Sequence, residues 1–261
     1  MTIPFGALEG LWEVFLLVFV RMTGIFVMSP IFGRRTVPAT YKIGLAFMMA
    51  LIICQNVQVP VLSDYATLSA WIMLGMKEFL VGLALGFIAY AVTAAMYVAG
   101  QLIDMRIGFG MVNVFDPVSN IQIPITADFY IILTTLFLMI SDGHLLMLHT
   151  LALSYDKMPL GALTLTGPAI EQMIRLMGSI FEIGFRIAMP VTVAILVTDM
   201  ALGIISKSVP QMNVFMLGMP VKILLGLVML LVTLASFRGI VDFLLEGTYR
   251  EMADFLKSAR G

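Results

Sequence analysis

The run Gln101-Leu-Ile-Asp-Met-Arg-Ile-Gly-Phe-Gly-Met-Val-Asn-Val-Phe-Asp-Pro-Val-Ser-Asn-Ile-Gln-Ile-Pro124 interrupts an otherwise very apolar chain near its middle. Gly108 and Gly110 open backbone conformations closed to other residues, and Pro117 and Pro124 forbid a continuous helix. A solvated connection would be polar. Here Phe109, Met111, Val112, Val114 and Phe115 are bulky and apolar, so the segment needs burial inside protein. We read it as a loop lying across a path that is kept shut.

Working outward, hydrophobic residues make up 61% of the 261 and charged residues only 12%. Soluble domains carry roughly 25% charged residues, so this composition describes an integral membrane protein. A net charge of -1, with no run of Lys and Arg, argues against a nucleic-acid partner, because phosphate binding needs a clustered positive surface. The single Cys54 has no partner for an internal disulfide and reads as a small buried hydrophobe. At the N-terminus Glu9 and Glu13 stand where a signal peptide would be basic, and the run 11–32 is long enough to span, so a retained first helix is expected.

Apolar runs cover 11–32, 43–62, 70–103, 125–153, 173–205 and 214–245, each at or beyond the roughly 20 residues that cross a bilayer. The expected fold is all-α, with about six long helices in hairpins. The third, fifth and sixth runs, as straight helices, would be roughly 45 to 50 Å long and would extend past the hydrocarbon core. Pro190 and Pro220 fall inside the last two, where kinks or breaks are expected. Arg34, Arg35 and Lys42 place the first loop in the cytoplasm, and Arg250, Lys257 and Arg260 place the tail there too. Six plain crossings cannot satisfy both. Either one run does not cross fully, or the protein is not seated as an ordinary serpentine.

Gly75, Gly82 and Gly86 share a helical face, and Gly82 to Gly86 is a GxxxG spacing that permits close helix approach, although composition alone can generate it. Charges within apolar runs need partners or water. Glu182 and Arg186, and Arg238 and Asp242, have the spacing for pairing along one helix. Arg21, Lys77, Glu78, Asp128, Asp142, Asp199 and Lys222 lack such local partners, apart from the neighbours Lys77 and Glu78, which point to different sides of a helix. They are assigned to pairing between helices or subunits, with a proton relay as the other reading. Met105 and Met111, at the central loop, could close around an opening of variable shape.

Familiar reaction centres are absent from the sequence. Gly108-Phe-Gly110 lacks the third glycine and preceding strand of a dinucleotide site, and no Walker-type Gly-Lys-Ser/Thr sequence occurs. His144 and His149 are not spaced as zinc ligands on one helical face. Asp128 with Asp199 is an unsupported pair for an aspartyl protease. No catalytic, cofactor or metal residue is assigned.

Several blocks together point further: Phe32-Gly33 followed by Pro38 and Lys42-Ile-Gly-Leu; Gly100-Gln-Leu-Ile-Asp104; Gly108-Phe-Gly-Met; Phe115-Asp-Pro117; Gly143-His144; and Pro210-Gln-Met-Asn-Val-Phe215 leading to Pro220-Val-Lys222-Ile. In this order, over nearly the whole chain, they resemble the FliR/SctT family of type III secretion export-gate proteins, with the flagellar branch favoured over the virulence injectisome branch. The resemblance implies a non-enzymatic channel part in the bacterial inner membrane, needed for flagellum assembly. It implies partnership with FliP, FliQ and FlhB-type subunits, with unfolded flagellar subunits as export substrates and lipid around it. It also implies a helical heteromeric assembly raised towards the periplasm. The family's pore plug corresponds here to Gly108, Phe109, Gly110, Met111, Val112, Asn113, Val114, Phe115, Asp116 and Pro117.

Asn-Val-Phe recurs at Asn113 and Asn213, and Pro-then-Lys-Ile at Pro38 and Pro220, which could mark an internal repeat or chance. No linker divides the chain, so 1–261 is taken as one unit, with its plug loop at about 104–124 and a C-terminal tail at about 246–261. A secondary transporter is the alternative of another class, since broken helices and buried charges also suit that activity.

Overall fold

The computed structural model describes residues 5–34, 36–57, 67–109, 124–164, 166–211 and 213–260. These form α1 (Phe5–Met28), α2 (Ala39–Ile53), α3 (Leu68–Ile107), α4 (Ile125–Ile140), α5 (Gly143–Lys157), α6 (Gly167–Ser208) and α7 (Val214–Ser258). An antiparallel bridge joins Leu163 and Arg260. The protein is an all-α integral membrane protein. Among the described residues, four helices are long and apolar enough to cross a membrane, or five spans if α4 and α5, bent by 69°, count as one. Helices α6 and α7, of 42 and 45 residues, are roughly 60 to 70 Å long, well beyond a hydrocarbon core of about 30 Å.

One expectation is corrected and a second is narrowed. The fourth apolar run is two helices, because Asp142 takes the left-handed conformation (φ 53°) between Ser141 and Gly143 and turns the chain. Pro190 and Pro220 lie inside uninterrupted helices and break neither. Each proline removes one backbone bond, to the carbonyls of Arg186 and Met216, and both of those residues are exposed.

The described residues fall into two compact units. The first comprises Met1–Val92, Asp142–Leu176 and Leu245–Gly261. Its core is built by Val14, Val18, Met22, Leu74, Val81, Leu85, Leu151, Met158 and Met252. Phe47 of α2 meets Phe15 of α1 edge-on, with ring centroids 5.2 Å apart. Helices α1 and α3 approach through glycines. A Cβ on Gly24 would stand 2.6 Å from the Phe79 carbonyl oxygen, one on Gly82 would run into the Arg21 carbonyl, and one on Gly86 would stand 2.9 Å from the Ile25 carbonyl. Gly75, on the same face of α3, has open space beside it. The chain end is tied in by Thr164 N–H donating to Ala259 O (3.0 Å), Thr166 Oγ1 to Ser258 O (2.7 Å) and Gln172 Nε2 to Glu251 O (3.0 Å).

The second unit comprises Thr93–Ser141 and Met177–Leu244. Tyr130 is buried at its centre, edge-on to Phe237 (5.3 Å) and hydrogen-bonded to Thr233 (3.3 Å). Ser141 Oγ donates to Asp242 Oδ1 at 2.9 Å. Gly100 lies so close to Ala127 that no side chain would fit between them, and a Cβ on Gly184 would stand 2.9 Å from the Ala95 carbonyl oxygen.

Candidate functional site

Helix α3 stays helical to Ile107, so the central loop leaves it at Gly108 rather than near Asp104. Gly108 has φ +97° and donates its N–H to Asp104 O at 3.0 Å, a left-handed helix stop that glycine makes without steric cost. A Cβ there would meet nothing within 4 Å, so the position demands glycine through its backbone angle and not through crowding. Ile107, the last residue of α3, is buried against Gly226 of α7, where a Cβ would meet its Cδ1 at 2.5 Å.

The other end of the loop returns at Pro124, which precedes α4 and offers no side-chain cap. The acceptor comes from α3 instead: both carboxylate oxygens of Asp104 lie 3.1 Å from Thr126 N. A carboxylate at a helix N-terminus satisfies an otherwise unpaired N–H and complements the positive end of the helix dipole. Of the proposed plug, Gly108 and Phe109 are described and half-buried. Gly110, Met111, Val112, Asn113, Val114, Phe115, Asp116 and Pro117 lie outside the described residues.

Beside this stem is a cavity of about 520 Å³ bounded by Met105, Arg106, Leu202, Met219 and the pair Lys222 and Asp199. Lys222 Nζ and Asp199 Oδ1 form an ion pair between α7 and α6. Glu182 and Arg186 pair along α6 at 2.6 Å, and Arg238 and Asp242 along α7 at 3.7 Å; the first three are exposed and Asp242 is half-buried. Asp128 is exposed and Lys77 half-buried, and neither makes an ion pair among the described residues.

In the first unit, Arg21 and Glu78 are fully buried and joined at 2.6 Å. Arg21 Nη1 also donates to Ser154 Oγ and to Met158 O, both at 3.1 Å, and its guanidinium sits 4.2 Å from the centre of the Tyr155 ring. Glu78 Oε1 accepts from Gly161 N–H at 2.7 Å. One arginine and one glutamate thus fasten α1, α3, α5 and the turn after α5. The bonds neutralise two charges whose isolation would cost several kcal/mol. His144 is half-buried and its Nδ1 has no hydrogen-bond partner among the described residues, while His149 is exposed. Cys54 is buried.

Two roles escaped the sequence reading. The bond from Asp104 to Thr126 spans 22 positions, so no local spacing reveals it. The available hint is indirect, since a helix starting after Pro124 has no nearby capping side chain. The partners of Arg21 at Ser154, Tyr155 and Met158 are more distant still and carry no motif.

Long apolar helices, a buried ion pair that ties three of them together, and a loop stem fixed at both ends define a multi-pass, all-α membrane protein. Residues 12–248 match the family described as bacterial export proteins, family 1, and the chain belongs to that family. It is 34% identical over 255 residues to the flagellar biosynthetic protein FliR of Bacillus subtilis (strain 168), covering 96% of this chain and 97% of that protein. FliR of Escherichia coli (strain K12) is 26% identical over 239 residues, 90% of each chain. FliR of Aquifex aeolicus (strain VF5) is 28% identical over 221 residues, 84% of each.

Proposed function

We propose that this chain is a subunit of the flagellar type III protein export gate in the bacterial inner membrane. With FliP and FliQ, and near FlhB-type subunits, it forms the pore for unfolded flagellar subunits, and residues 108–117 plug that pore at rest. The observation that carries this reading is the loop stem: an apolar segment emerges from glycine and proline between helix ends that are bonded to each other, in a chain whose relatives are flagellar biosynthetic proteins.

The exposed surface supports protein neighbours. Only 17% of the most apolar window in α6, and 17% in α7, is buried within the chain. Phe181, Phe185, Leu224 and Leu231 are exposed there, along with the ion pair Glu182–Arg186. Apolar side chains alone would suit lipid, but ion pairs among them are poorly served by it. Purification from native membranes in mild detergent is expected to bring FliP and FliQ with the chain, and cysteines at Met111 or Phe115 are expected to cross-link to a substrate during export. A chain that purifies alone and transports a small solute would be a secondary transporter and would end this reading.

A further inference from the structure

We propose that Lys77 is a docking residue for a second subunit: its ammonium receives a carboxylate carried on a membrane helix of a neighbouring protein. This rests on the reading of the chain as one subunit of a larger membrane complex, and it adds where one neighbour seats and what chemistry it brings.

Between Leu68 and Ile103, helix α3 carries two charges, Lys77 and Glu78. Glu78 is satisfied within the chain, with one carboxylate oxygen on Arg21 Nε and the other on the Gly161 N–H. Successive residues of a helix diverge by about 100°, so Lys77 turns away from that interior and stands half-buried at its margin. It makes no ion pair among the described residues, whereas Arg21 and Glu78, and Asp199 and Lys222, each meet an opposite charge on another helix of the same chain. Such a charge among apolar side chains costs a few kcal/mol until a partner or water meets it. On its outer side Met73, Met76 and Leu80 are exposed, so the open flank is apolar. Two of these are methionines, which adapt to the contour of an incoming surface.

Depth selects a protein helix over a lipid headgroup. No charge stands between Leu68 and Met76, and Lys77 follows Leu68 by nine residues, about 14 Å along the axis. That is roughly half of a hydrocarbon core. Lysines that snorkel to phosphate sit near helix ends. A carboxylate on an apposed helix meets Lys77 where it stands, and exclusion of water strengthens the pair.

The test uses the complex purified from native membranes and treated with an apolar carbodiimide. The reagent joins a lysine ammonium to a carboxylate in contact with it as an amide, and the water lost converts the carbodiimide to its urea. Peptide mass spectrometry is expected to find Lys77 joined to an Asp or Glu on a membrane helix of another subunit. Lys77→Arg keeps the charge but forms no such amide, and wild-type complex yield without that cross-linked peptide is expected. Lys77→Met strands the neighbour's carboxylate and is expected to lower the yield of intact complex at least about tenfold, while the chain itself still accumulates in the membrane. If Lys77→Met fails to accumulate, the wild-type cross-link and the Lys77→Arg yield decide. A cross-link from Lys77 to a carboxylate of this same sequence overturns the proposal, as does wild-type yield for Lys77→Met. Absence of any protein cross-link from Lys77 also overturns it, and loss of bound anionic phospholipid from Lys77→Met would then assign the ammonium to a headgroup. A chain that purifies without other subunits would instead remove the reading of it as part of a complex, a result distinct from the others.

Discussion

Arg21 Nε donates to Glu78 Oε2 at 2.6 Å across 57 positions of sequence, with both side chains wholly out of solvent. The pair neutralises itself, and its remaining bonds to Ser154, Met158 and Gly161 hold the first unit in register. Removing one partner strands the other charge in a dry interior, which costs about 3 to 5 kcal/mol, whereas replacing both with apolar residues leaves no charge to desolvate. Arg21→Met or Glu78→Leu alone is therefore expected to abolish accumulation in the membrane, and the double variant to recover a substantial part of it. Quantifying the chain in isolated membranes decides the matter. Equal loss in single and double variants would contradict this account.

The glycine seam between α1 and α3 makes a sharper contrast. Gly82→Ala would drive a methyl into the Arg21 carbonyl, so a stability loss is expected despite the better helix propensity of alanine. Gly75→Ala meets nothing and gains up to about 1 kcal/mol from propensity alone. Thermal aggregation midpoints of the two variants in detergent should move in opposite directions.

Spacing along one helix made the pairs Glu182–Arg186 and Arg238–Asp242 and the Gly82–Gly86 face legible in advance, because neighbours at helical period are set by the chain itself. The same spacing overreached at Gly75, since period identifies a face but not how far a partner helix extends along it. The bend at Asp142 was passed over because apolar residues continue on both sides of Ser141-Asp142-Gly143, although those residues suit a turn. The return of the central loop was readable from Pro124, whereas its start was placed a turn too early, near Asp104, because α3 stays helical to Ile107. The bond that joins the two ends was not readable, because it depends on how two helices pack across 22 positions. Pairing of Arg21 with Glu78 and of Lys222 with Asp199 has the same character: the sequence demands a partner for each charge without naming it.

Lys222 and Asp199 face each other across the helices α6 and α7, and Asp199 remains nearly half exposed at 47%. A proton carrier and a structural tie are separable here. Asp199→Ala or Lys222→Ala is expected to lower the yield of the purified complex several-fold, while the dependence of export on proton-motive force keeps its shape in the complexes that form. Exchanging the two residues, as Asp199→Lys with Lys222→Asp, is expected to restore yield. Normal yield with altered coupling in the single variants would assign the pair to proton transfer.

The account turns on the loop between α3 and α4, and ion conductance of the reconstituted complex after deletion of residues 108–117 tests it most directly. The expected result is a complex of normal subunit composition that conducts ions at rest where the wild type is tight. A deleted complex that assembles normally and stays tight would contradict the plug.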